Sequence, residues 1–284
     1  MISRMRRPLF VGLILLVTAV AWWPSLDAHG NATVDAAFKR ALVTWAIARG
    51  LNGVLSVAQG TEVAIQPAGI GVNFTPGEIL DPINDLVERF SWIMMLAASS
   101  LGVQQVLLAM SAWQGVLLAL TLAAIVAIGA QWYAKNPRWA QLASRLFLFF
   151  VLLRFMMPGI AIANQWVYNT FLDNEYQAAS EQLTLAQERI SELNEEVKEE
   201  RSADAEDDRS TLQIARDVVK SIGDSVNIDK RMDEYRVAAE RISENTIRLV
   251  VVFLMQTLVF PLVFLLLVIN FFKRFLAKPF GSSS

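Results

Sequence analysis

Twenty consecutive residues, from Trp113 to Trp132, carry no acidic or basic side chain. A bilayer core about 30 Å thick is crossed by about 20 such residues in a helix. Three further stretches, 8–23, 145–168 and 247–272, carry no acidic residue and are apolar enough to be read as spans. Within hydrocarbon every backbone N–H and C=O must be paired inside the protein, so these runs are committed to helices. The composition agrees. Hydrophobic residues make up 54% of the chain and charged ones 18%, against about 25% charged in an ordinary soluble domain. The mean hydropathy is +0.40.

Basic residues orient the spans. With four spans, Arg4, Arg6 and Arg7, then Lys135, Arg138 and Arg145, then Lys273, Arg274 and Lys278 fall on one side, as expected of cytoplasmic flanks. If residues 90–110 also crossed, the second and third clusters would lie outside. Ser91, Ser99, Ser100, Gln104 and Gln105 weaken that stretch as a span as well. The expectation is therefore an all-α membrane protein with about four transmembrane helices and an extramembrane antiparallel coiled-coil hairpin. It would sit in a bacterial-type inner (plasma) membrane with both termini cytoplasmic and the hairpin periplasmic. The domains run 1–24, a signal anchor or signal peptide; 25–112, an exported helical region; 113–171, a transmembrane pair; 172–246, the acidic hairpin; and 247–284, the last span and a cytoplasmic tail.

The basic start Arg4–Arg7 before an apolar run resembles an export signal. Trp22 and Trp23 suit an interfacial anchor, which favours retention, while Ala28 offers a small-residue position for cleavage. Residues 35–58 predict a helix too polar to span easily, lying at the interface or against another helix. Residues 66–78 read as a Pro- and Gly-rich loop whose end, Thr75-Pro76 with Glu78, starts the next helix. Gly69-Ile70-Gly71 lacks both the third glycine of a dinucleotide loop and the Lys-Ser/Thr end of a phosphate loop. The apolar helix 90–110, being external, needs cover from this chain or another.

Between Asp173 and Asn245 there are twenty acidic and ten basic residues; the rest of the chain has seven and fifteen. Within that acidic part Tyr176, Ala179, Leu183, Ala186, Ile190, Leu193 and Val197 recur at steps of three and four, a coiled-coil seam. A polar tip at 201–209 separates it from a second seam, Leu212, Ala215, Val219, Ile222 and Val226. That seam shifts phase near Gly223 and resumes as Ile228, Met232, Tyr235, Ala238 and Ile242. At 1.5 Å per residue the first arm would reach ~42 Å. The acidic tip Asp204–Asp208 reads as solvated; it lacks the glycine and terminal Glu of a calcium loop. So acidic a surface does not suit nucleic acid.

Inside the spans one charge lies deep, Arg154, with no acidic residue in any of the four spans to pair with it. Three roles are open to it: reaching back to the cytoplasmic headgroups, bonding backbone carbonyls including those freed by Pro158, or lining an anion path. Pro158 and Pro261 stand at similar depth in the last two spans and read as packing bends or as a paired hinge. The chain has no cysteine and one histidine, His29. No nucleophilic, zinc or phosphate-loop constellation is visible, so no catalytic residue, cofactor or metal site is expected. Glu62, Glu78, Asp81, Asp85 and Glu88 are explained more simply as a capped, solvated helix start. The preferred function is a non-catalytic envelope scaffold or assembly subunit. Its partners would be the lipid bilayer and either copies of itself or another membrane protein. The alternative is an oligomeric channel with Arg154 near an anion path.

Overall fold

In the computed structural model the described residues are helical apart from short turns and two short paired strands. The structure describes residues 2–60, 63–65, 72–74, 77–133, 136–205 and 213–277, with side chains for 8–60, 79–133, 136, 138–198 and 230–273. The helices are α1 (Ile2–Ala21), α2 (Pro24–Gln59), α3 (Gly77–Ser111), α4 (Gln114–Tyr133), α5 (Pro137–Val167), α6 (Asp173–Ala205), α7 (Gln213–Leu254) and α8 (Phe260–Ala277). Two π-helical segments, π1 (Tyr168–Leu172) and π2 (Met255–Val259), carry α5 into α6 and α7 into α8 without a break.

Backbone chemistry places these boundaries. Pro24 opens α2, where a missing N–H costs least. Asn136 caps α5 by accepting from the Arg138 N–H at 3.0 Å, and Pro137 takes the first helical position. Pro261 explains π2. A proline cannot donate to the carbonyl one turn before it, and the helix widens there so that the Phe260 N–H reaches Met255 O.

Among the described residues five helices are long and apolar enough to cross a membrane: Pro24–Gln59, Ile79–Ser111, Gln114–Tyr133, Arg138–Lys198 and Lys230–Lys273. Pro8–Ala21 is a shorter apolar helix. Helices of this kind mark a membrane-embedded protein. Two of the five, α2 and α3, come from the stretch expected to lie outside. Within the expected loop 66–78 lies strand β2 (Val72–Phe74), which pairs antiparallel with β1 (Val63–Ile65) just before that loop, Val63 with Phe74 and Ile65 with Val72. Gly69-Ile70-Gly71 and the Thr75-Pro76 helix start lie outside the described residues.

The chain forms two compact units. The first comprises Met1–Lys39, Ala98–Thr170 and Leu254–Ser284. Its core joins Ile14 and Ala21 of α1, Leu120 and Ala127 of α4, and Ala143 and Phe147 of α5. Small alanines let these helices approach closely, which replaces the missing hydrophobic drive between helices in lipid. Here α2 and α3 run antiparallel: a Cβ on Gly30 would stand 3.3 Å from Leu108, and one on Gly102 3.9 Å from Phe38. A Cβ on Gly159 would stand 3.1 Å from Phe264, so glycine is what permits the close crossing of α5 and α8.

The second unit comprises Arg40–Ala97 and Phe171–Phe253. On α6, Ala179, Leu183, Ala186, Ile190, Leu193 and Val197 are all buried, and Tyr176 is half-buried. On α7, Tyr235, Ala238 and Ile242 are buried. The earlier α7 seam, with Leu212, Val219 and Ile222, lies outside the described side chains, as does the tip 201–209. The start of α6 meets the end of α7, Glu175 with Arg248 at 3.6 Å and Tyr176 with Phe253, while later α6 meets earlier α7, Arg189 with Glu234 and Asn194 with Tyr235 at 3.2 Å. Thus α6 and this part of α7 lie antiparallel. Parallel to α6 runs the end of α2, because Asn194 meets Val54 and Gln187 stands against Gly50.

Ile190 has no exposed surface, whereas Leu185 on the same helix is 47% exposed. Ile190→Ala should lower the unfolding free energy by about 2–4 kcal/mol. Leu185→Ala should change it by less than about 0.5 kcal/mol. Denaturant titration followed by circular dichroism in detergent measures both, and equal losses at the two positions would refute this account of the α6 face.

Candidate functional site

Helix α1 ends against a backbone problem. The Trp22 N–H bonds Ala19 O at 3.2 Å and the Trp23 N–H bonds Val20 O at 3.1 Å. The next residue in that series is Pro24, which has no N–H, so the carbonyl of Ala21 is left without its donor. Ala21 is fully buried, so water does not replace it. The donor comes from α5. Arg154 places Nε at 3.2 Å and Nη2 at 2.9 Å from Ala21 O. A cation there also suits the negative end of the α1 dipole.

The same Nη2 donates to Asp27 Oδ2 at 2.7 Å. Arg154 is wholly buried, while the Asp27 side chain keeps 23% of its surface. Asp27 lies in the first turn of α2. One guanidinium therefore ties α5 to the end of α1 and to the start of α2, across the Pro24 break. The structure gives Arg154 two partners, a carboxylate and a carbonyl freed by Pro24, not by Pro158. The carboxylate escapes a search confined to the spans, because Asp27 lies beyond the end of α1. Pro158 itself is buried one turn after Arg154.

A second freed carbonyl sits at π2. With the Phe260 N–H bonded to Met255 O, the next donor in that pattern would be residue 261, which is proline. Asn164 of α5 supplies the bond, its Nδ2 donating to Gln256 O at 3.0 Å. Both residues are buried. The candidate site residue Pro261 thus acts through the carbonyl it releases. In the sequence Asn164 and Gln256 are two of the few polar residues within the apolar runs 145–168 and 247–272. Their signal was the proline five residues after Gln256.

A third buried polar feature lies in the second unit. Tyr235 donates to Asn194 Oδ1 at 3.2 Å, and Asn194 Nδ2 donates to Val54 O at 3.0 Å. Beside it, Arg189 bridges Glu192 and Glu234, and the bond to Glu192 followed by Glu234 raises its pKa above the ordinary arginine value.

No metal cluster of His, Cys, Asp or Glu occurs among the described residues. Asp81, Asp85 and Glu88 are exposed, and Asp81 accepts from Gln59 Nε2 at 2.8 Å. Glu62 and Glu78 lie outside the described side chains, and His29 is exposed. Comparison with protein families, with characterised proteins and with solved structures finds no match to this chain.

Two outcomes are expected. Arg154→Leu strands the Ala21 carbonyl and unpairs Asp27, which should cost about 3–5 kcal/mol. Arg154→Lys, lacking a planar fork, should fall between wild type and Arg154→Leu. Arg154→Leu combined with Asp27→Leu should recover part of the loss, and a double-mutant cycle with no coupling would reject the pair. Separately, Tyr235 stands outside the uncharged run 249–272, and burial pushes its hydroxyl up to about 12. The fold favours the neutral phenol. That contribution is whole below the ordinary value near 10 and is lost as pH rises through 12. Thermal melts across this window should show a fall that Tyr235→Phe abolishes.

Proposed function

We propose that this protein is a non-catalytic scaffold of a bacterial-type inner membrane that holds an acidic helical hairpin outside the bilayer. Four helices cross, at 8–23, 113–132, 145–168 and 247–272, and both termini are cytoplasmic. Residues 172–246 form an external antiparallel coiled coil. Helix α1 is a retained anchor: Ile14 and Ala21 are packed into its bundle, and removing it would strip Arg154 of the Ala21 carbonyl.

The observation that carries this reading is the state of Arg154. Its charge is neutralised within the fold by Asp27 and Ala21, so it is not available to set the potential of an anion path. Exposed aromatics support the orientation. Trp132, Tyr133 and Trp139 lie around the α4–α5 turn, beside the basic cluster, and Trp22, Trp23 and Trp113 lie at the opposite ends of α1 and α4. Assembly would use the outer face of α3, where Trp92, Leu96, Val103 and Met110 are exposed, together with the hairpin, to bind copies of the chain or another membrane protein.

The absence of cysteine makes the test clean. A cysteine at Ser202 should react with an impermeant maleimide from outside, and one at Asn136 only after the membrane is opened. The purified protein in planar bilayers should pass no current. Labelling of Asn136 from outside would overturn the topology. A steady anion current altered by Arg154→Leu would replace the scaffold with the channel.

A further inference from the structure

The bond between Asn164 and Gln256 leaves two oxygens over. Because Asn164 Nδ2 is committed to Gln256 O, the orientation of that amide is determined, and its Oδ1 is the free end. Asn164 Oδ1 is buried without a donor, and so is Gln256 Oε1. Asn164 is 6% exposed and Gln256 1%. The flanking α5 residues Ile160, Ala161 and Tyr168 are buried, and none of them is charged. An unpaired acceptor in such surroundings costs about 1–3 kcal/mol, and here each of two residues joined by one hydrogen bond carries one.

The chemistry of the pair selects its ligand. Both groups are neutral amide oxygens, and no carboxylate stands with them. Divalent cations draw carboxylates. Neutral oxygens, amide or carbonyl, hold alkali cations in membrane proteins, often where a helix is locally unwound. Gln256 lies within such a segment, π2, and π turns inside helices recur at functional sites.

We infer that Asn164 Oδ1 and Gln256 Oε1 form part of a buried binding site for one alkali cation, sodium or potassium, at the π2 turn between α5 and α8. The ion would satisfy both acceptors and brace the turn that Pro261 imposes. Gln256→Met removes the side-chain oxygen but leaves the backbone carbonyl that Asn164 caps, so the helix pair stays tied.

The test is thermal unfolding of the full-length protein in detergent at constant ionic strength, exchanging N-methyl-D-glucamine chloride for NaCl or for KCl. Wild type should show a saturable rise of roughly 5 °C with at least one alkali cation, the size expected near hundredfold saturation of one site. Gln256→Met should fold and lose that rise. A wild-type melt that does not distinguish the alkali salts from N-methyl-D-glucamine would overturn the site and assign water to the two oxygens. A Gln256→Met protein that keeps the full rise would overturn it as well, by placing the ion elsewhere.

Discussion

A carbonyl inside a membrane bundle has no water to fall back on, and this fold is organised around two carbonyls that proline deprives of their donors. Pro24 frees Ala21 O and Pro261 frees Gln256 O. Helix α5 answers both, with Arg154 and with Asn164. The chain thus uses prolines to end one helix and widen another while keeping the backbone satisfied. It also makes α5 the element against which α1, α2 and α8 are positioned. The two caps differ in strength. The Ala21 cap is ionic and brings a carboxylate with it; the Gln256 cap is a neutral amide bond.

Most of the helical layout is legible in the sequence because it rests on local rules. Pro24 and Asn136-Pro137 mark helix starts. The seam from Ala179 to Val197 is written in its spacing, and every one of its residues is buried. The apolar runs announce themselves by length. What could not be read is what depends on distant pairing. Asp27 and Arg154 are far apart in sequence and meet only because α1 stops where it does. The strands Val63–Ile65 and Val72–Phe74 were hidden by the glycines between them, although Val72-Asn73-Phe74 alternates apolar and polar residues as a half-buried strand does. Segment π1 has no sequence signal that we can name. Segment π2 has one, the proline that follows it.

The apolar surface of α3 and the length of α2 complicate the division into spanning and external parts. Both helices pass the simple test of length and hydropathy, yet α2 carries Asp27, Asp35, Lys39, Arg40 and Arg49 along its length. The basic clusters at 135–145 and 273–278 weigh against α3 as a span, because a fifth crossing would invert them.

Asn194 has a consequence for the helices it joins. A seam of alanine, leucine and isoleucine at regular spacing has no strong preference among alignments one heptad apart, and such a pair of helices can slide. Asn194 accepts from Tyr235 and donates to Val54, and a shift of α6 by seven residues would separate the Asn194 amide from both the Tyr235 hydroxyl and the Val54 carbonyl. A single buried asparagine is known to select one alignment in coiled helices at some loss of stability. Here Asn194 bonds to residues of two other helices, so one amide marks where α6 stands against both α2 and α7.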